Sequence, residues 1–225
     1  MVIDSGMGTA WGEREVDRFK LDAEVVGLGQ ALAAVGIDPL EVTDAVLTHL
    51  HFDHAGGWVQ AASEGGLVPV LPRAVHHIQR RHLEWARSPS SRDRGSFAPE
   101  LIAPVEGAGL LHPLDGEGEL FPGLELILAD GHTTGLQIPL LRGPSGAVVF
   151  PADLIPTAAH ARDNWIMAFD LRPLQTLDEK RHFLTRASVE KWTVLFEHDP
   201  AIEAATVESL DGELVIKPCA CPRAL

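Results

Sequence analysis

The 225-residue chain has no tyrosine, only two cysteines and few basic residues: 18 Lys and Arg stand against 32 Asp and Glu, a formal charge of −14. So acidic a surface repels polyanions, and neither nucleic acid nor an anionic membrane is an expected partner. The most basic window, 80–94, is interrupted by Glu84 and Asp93 and reads as a solvated helix and loop. No stretch is apolar for long enough to span a bilayer, and the N-terminus lacks the basic start and apolar run of a signal peptide. Cys219 and Cys221 are one residue apart, a spacing that disfavours a structural disulfide, so a reducing, cytoplasmic setting is expected. Hydrophobic residues make up 45% of the chain, enough for one substantial core and a single domain over 1–225.

What is present is concentrated in one stretch. Residues 48–57 read Thr-His-Leu-His-Phe-Asp-His-Ala-Gly-Gly, directly after the strand-like run 44–47. In extended chain His49 and His51 point the same way and can share one metal, while Asp53 and His54, where the chain turns, can face a second. Neutral imidazole and carboxylate are ligands for Zn²⁺, Fe or Mn²⁺. His76 and His77, between apolar neighbours, read instead as packed side chains.

The pattern His-x-His-x-Asp-His followed by Gly-Gly resembles the metallo-β-lactamase superfamily of metal-dependent hydrolases. Four further segments resemble that family in order: Val2-Ile3-Asp4-Ser5-Gly6, Asp130-Gly131-His132-Thr133-Thr134-Gly135, Phe150-Pro151-Ala152-Asp153 and Phe196-Glu197-His198-Asp199-Pro200. The resemblance implies an α/β fold, an αββα sandwich of two mixed sheets with outer helices. It also implies two divalent metal ions, zinc first and Fe or Mn as alternatives. One is held by His49, His51 and His132, the other by Asp53, His54 and His198, with Asp153 bridging. In the family the segment matching 2–6 is normally preceded by several strands. None precedes it here, so an incomplete first sheet is expected, its edge covered in a homodimer.

The expected chemistry is attack by a metal-bridging hydroxide on a small ester, lactone or phosphotriester, with Asp53 orienting the water and carrying its proton. Asp4 and Asp199 are candidates for fixing imidazole tautomers, each with a turn or cap role weighed beside it. The segment after Asp153 looks like the lactonase and organophosphate-hydrolase branch, although the tyrosine that lactonases commonly place near the bridging aspartate is missing. Trp165, Met167 and Phe169 alternate as a strand would and could line an apolar pocket with Trp85 and Phe97. A non-catalytic remnant that binds metal without turnover is one alternative to this reading, and two enzymatic alternatives stand beside it. One is a glyoxalase II-like thioester hydrolase, disfavoured because Lys217 and Arg223 are the only basic residues near the C-terminus. The other is an oxidoreductase of the mononuclear-iron persulfide dioxygenase type.

Periodicity predicts helices over 23–35, 57–62 and 79–87, and another opened by the capping box Thr176-Leu177-Asp178-Glu179. Strands are expected at 44–47, 67–71, 74–78, 110–113, 124–129, 136–141, 147–150, 192–196, 201–208 and 213–217. Residues 11–20 and 88–104 read as loops.

Overall fold

A computed structural model describes residues 1–22 and 27–222. Val25 and Val26, part of the expected apolar helix face, and Arg223 lie outside the described residues. The chain forms two compact units, Met1–Asp115 and Gly116–Leu225.

The first unit is built on a parallel sheet of strands β1 (Val2–Ile3), β2 (Asp44–Val46), β5 (Val75–Gln79) and β6 (Leu111–Leu114), in the order β1-β2-β5-β6. Between β1 and β2 lie α1 (Glu13–Phe19) and α2 (Leu28–Ala34). After β2 come α3 (Phe52–Ala55) and a hairpin of β3 (Val59–Ala61) with β4 (Leu67–Pro69), and after β5 come α4 (Arg80–Arg87) and α5 (Pro99–Gly107). Parallel pairing of Val2 with Ala45 and Ile3 with Val46 sends both chains out at the same end of the sheet. Asp4 therefore emerges beside Thr48. The core joins Ala45, Leu47 and Ile78 of the sheet region to Trp58, Leu71, Leu101 and Val105, each at most 2% exposed. Each such large apolar side chain contributes about 1.5–3 kcal/mol by leaving water.

The second unit is one seven-stranded sheet, ordered β13 (Glu213–Cys219), β12 (Ala204–Leu210), β11 (Thr193–Leu195), β10 (Gly146–Val149), β9 (Leu136–Gly143), β8 (Leu124–Ala129) and β7 (Gly118–Phe121). Its pairings are antiparallel except β10 with β11. Because β8 and β10 flank the reversed β9, the strands β8, β10 and β11 run the same way. Their C-terminal ends precede His132, Asp153 and His198. Helix α6 (Pro173–Glu190) buries Phe183, Leu184 and Ala187 in a core with Leu136, Ile138, Trp192 and Val194.

Most expected strands stand within a few residues of their predicted bounds, and five local expectations are corrected. Residues 13–19 are helical: acidic Glu13 and Glu15 open α1, Arg18 lies in its last turn and nothing in it is buried, so no apolar stripe announces it. Residues 59–61 form a strand, because Gly65 and Gly66 adopt left-handed φ values of 91° and 81° that turn β3 back onto β4. Within 88–104, Pro99 occupies the first turn of α5, where its missing N–H costs nothing, and the helix tolerates Pro104 by burying Leu101, Ile102 and Val105. The segment 165–169 is not a strand. Helix α6 starts at Pro173 rather than at the Thr176 capping box; Thr176 lies inside it, and Glu179 has another role.

Candidate metal centre

In the first unit the polypeptide leaves β2 through Leu47, and the four candidate ligands follow within eight residues. Gly56 and Gly57 allow this turn by close approach rather than by backbone sign. A Cβ on Gly56 would lie 2.1 Å from the Met7 carbonyl oxygen, and one on Gly57 would lie 2.2 Å from that of Ser5. The Ser5 N–H and hydroxyl both donate to the His54 carbonyl at 2.9 Å, tying residues 4–8 beneath the ligands.

Asp4, 5% exposed, organises this half. Its Oδ1 accepts the Thr48 N–H at 2.8 Å, and its Oδ2 accepts the Thr48 hydroxyl at 2.6 Å and His54 Nδ1–H at 2.9 Å. A carboxylate can only accept, so Nδ1 of His54 carries the proton and Nε2 the lone pair. Thr48 has one hydroxyl proton, already given to Asp4. His49 Nδ1, 3.0 Å from Thr48 Oγ1, therefore donates to it, and the His49 lone pair also sits on Nε2. That Nε2 lies 3.1 Å from His51 Nδ1. Buried His82 accepts the Leu50 N–H at 2.8 Å and fixes the backbone between the two histidines. Asp53, with a side chain 32% exposed, places its Oδ2 3.9 Å from His54 Nε2. Asp4 itself is held at φ 48°, a left-handed conformation that costs a side-chain-bearing residue about 1–3 kcal/mol.

In the second unit three strand ends supply the remaining candidates. His132 Nε2 and His198 Nε2 lie 3.2 Å from Asp153 Oδ2 and Oδ1 respectively, one imidazole to each carboxylate oxygen. Ala152, at φ 46°, stores the same kind of strain immediately before Asp153. Asp170, 2% exposed, accepts His132 Nδ1–H at 3.0 Å and leaves that lone pair on Nε2 as well. The turn carrying His132 is clamped from α6: Glu179 accepts the N–H groups of Asp130 and Gly131 at 2.8 and 2.9 Å. Arg172 donates to the Asp130 carbonyl at 2.6 Å and to the Thr134 hydroxyl at 2.9 Å.

The donor set fits divalent cations: His49 and His54 in the first unit and His132 in the second are buried imidazoles whose Nδ1 is fixed by an oxygen partner, and Asp153 turns one oxygen to each of His132 and His198. Of the two carboxylates singled out for orienting histidines, Asp4 does so. Asp199 instead accepts the N–H groups of Ala201, Ile202 and Ala158, and those backbone donors hold its carboxyl below the usual carboxylate range. Asp170, His82 and Glu179 escaped the sequence reading, because nothing near them in sequence marks them as belonging to a histidine 38, 33 or 47 residues away. His76 and His77 are packed as expected: His76 against Ala74 O at 3.0 Å, His77 against Asp44 at 2.8 Å.

The profile of the metallo-beta-lactamase superfamily matches residues 1–213, and the chain belongs to that superfamily. Among curated relatives, it is 27% identical over 179 residues to the N-acyl homoserine lactonase AttM of Azorhizobium caulinodans, a match that covers 74% of this chain. The matched region spans 62% of the length of AttM. Among solved structures, a probable metal-dependent hydrolase from Staphylococcus aureus superposes with a TM-score of 0.84 at 24% identity, over 98% of this chain and 79% of that one. The dizinc quorum-quenching lactonase AidC superposes with a TM-score of 0.77 at 20% identity, over 99% and 76%. At such identities the likeness carries the metallo-β-lactamase fold. No helix among the described residues is long and apolar enough to cross a membrane.

Proposed function

We propose that the chain is a cytoplasmic, dinuclear metal-dependent hydrolase of small lactones and esters, with His49, His51 and His132 holding one divalent cation, Asp53, His54 and His198 the other, and Asp153 bridging. The observation that carries this reading is the proton inventory: His49, His54 and His132 each commit Nδ1–H to a fixed oxygen, which leaves Nε2 as the ligand atom. A bound pair of such cations supplies Lewis acidity and brings the pKa of water toward neutrality. Asp53 would orient the attacking water and carry one of its protons to the leaving oxygen, and its partial exposure would let the other pass to solvent. The likeness to AttM supports a lactone as the substrate class. The sequence has no tyrosine to donate a hydrogen bond to the substrate carbonyl, and a bound cation would supply that polarisation. Nucleic acid and membrane partners are not part of this reading, and the assembly we favour is a homodimer that covers the β1 edge of the first sheet; light scattering that reports a monomer overturns the latter.

Elemental analysis of protein purified without added metal tests the proposal, together with a panel of an N-acyl homoserine lactone, a simple γ-lactone, an aryl ester and an aryl phosphotriester. About two equivalents of divalent metal and chelator-sensitive lactone opening are expected. A single iron with O₂ uptake and no ester cleavage overturns it.

A further inference from the structure

Helix α6 carries a cation where none is expected. Lys180 is fully buried, 0% exposed, beside the core residues Phe183 and Leu184. Its Nζ donates to the carbonyls of Arg162 at 2.6 Å and Trp165 at 2.5 Å. Burying an ammonium is costly, and burial pushes its pKa down while the nearby carboxylates of Asp163 and Asp170 push it back up. A lysine serving only to fill space would be replaced by an apolar residue at less cost, so the charge itself has a use.

What it grips leads to the metal half-site. The two carbonyls begin the segment 162–170, whose far end is Asp170. There the Asp170 N–H donates to Met167 O at 3.2 Å, and the next two N–H groups, of Leu171 and Arg172, return to the carbonyls of His132 and Gly131 at 3.1 and 2.8 Å. The neighbouring Glu179 clamps the His132 turn directly. Successive residues of one helix thus hold the two partners of one hydrogen bond: Glu179 the histidine, Lys180 the segment bearing its acceptor. The close packing of α6 on that turn, where a Cβ on Gly131 would lie 2.3 Å from Thr176 Oγ1, leaves little slack between them.

We propose that Lys180 is a positioning residue of the metal site, fixing the segment 162–170 so that Asp170 keeps His132 in the Nδ1–H tautomer. The effect on metal binding rests on the proposed function; the effect on the tautomer does not. The test pairs Lys180→Met with Asp170→Asn and the double variant. In each, the His132 tautomer is read by ¹⁵N NMR of the metal-free protein, and zinc affinity by competition with a chromophoric chelator. Expected are a wild-type Nδ1–H tautomer, a mixed population in Lys180→Met, and a loss of zinc affinity of about tenfold that is not repeated when Asp170 is already Asn. An unchanged tautomer in folded Lys180→Met overturns the proposal, as does a zinc loss additive with that of Asp170→Asn. If the wild type binds no zinc, the proposed function fails while the tautomer still decides the role of Lys180. Should Lys180→Met not fold, Lys180→Ala, which also removes both N–H donations while leaving room for water at the two carbonyls, is judged by the same criteria.

Discussion

The two units place candidate ligands by different means. In the first, four of them lie between positions 49 and 54, and their orientation comes mainly from Asp4, delivered by the strand paired with β2. In the second, three ligands arrive from the ends of β8, β10 and β11, 21 and 45 residues apart, and their orientation depends on α6 and the segment before it. The compact motif is fixed chiefly through one neighbouring segment, Asp4 and Ser5, with His82 holding the backbone between two of its histidines. The dispersed one needs a scaffold of several elements.

The sharpest way to break this comparison is to remove the residue on which the dispersed half converges. Asp153→Ala takes away both oxygens that face His132 and His198, and is expected to lower kcat/KM at least about a thousandfold while reducing bound metal below two per chain. Steady-state kinetics on the best lactone with elemental analysis of the same sample measures both. Retention of full metal content would show that the second unit's histidines do not need the carboxylate.

Next come the glycines that allow close approach. Gly131→Ala drives a methyl group into Thr176 of α6, and Gly56→Ala drives one into the Met7 backbone, so each is expected to cost about 3 kcal/mol or more in urea denaturation. Gly65→Ala is the control. Nothing lies within 4 Å of its added carbon, and only the left-handed φ of 91° is charged against it, about 1–2 kcal/mol. A loss at Gly131 no larger than that at Gly65 would mean that α6 gives way to the added methyl group and does not pack tightly on the His132 turn.

The same contrast explains what was legible in the sequence. The motif 48–57 could be read because its ligands share one strand end, and β8 and β9 because they are short apolar runs separated by turns rich in Gly, Pro and Asp. His132, Asp153 and His198 were found through family resemblance, not spacing. Asp170, Glu179 and Lys180 were missed because their roles are set by which turn α6 packs against, a tertiary fact that no local pattern encodes. Helix α1 escaped for the opposite reason: it buries nothing, so no apolar period exists to be seen. The capping-box signature misled because Pro173, preorganised for the first helical turn, had already started α6 and freed Glu179 to reach the His132 turn.

A milder perturbation compares the two orienting carboxylates. Asp4→Asn and Asp170→Asn each turn an obligate acceptor into a group that can also donate, and each is expected to weaken metal binding about 10- to 100-fold. Isothermal titration with zinc measures it. If the compact half depends on Asp4 as the dispersed half depends on Asp170, the two losses agree within a factor of a few. Asp4 also accepts from Thr48, so a much smaller loss at Asp4 would show that the motif 48–57 holds its own geometry.

The smallest effect separates a histidine that packs from those that orient. His76 is 0% exposed on β5, edge-on to Trp58 with ring centroids 5.2 Å apart, and its Nε2 is buried with no hydrogen-bond partner. Burial, with a small contribution from neighbouring His77, outweighs the hydrogen bond to Ala74 O and lowers its pKa from 6.5 to about 4. The folded state therefore refuses a proton that the unfolded chain accepts. Stability from this residue is fully present above about pH 6.5 and is lost as pH falls toward about 4, below which no more is lost. Between about pH 7 and about pH 5.5 the loss is about 1 kcal/mol. Urea denaturation of the wild type and His76→Phe at those two pH values reads it, since titrating groups that do not interact with His76 cancel in the difference and the His77 contribution is small. The wild-type curve is expected to fall relative to the variant by that amount; parallel curves would mean that His76 finds a way to carry its proton inside the first unit.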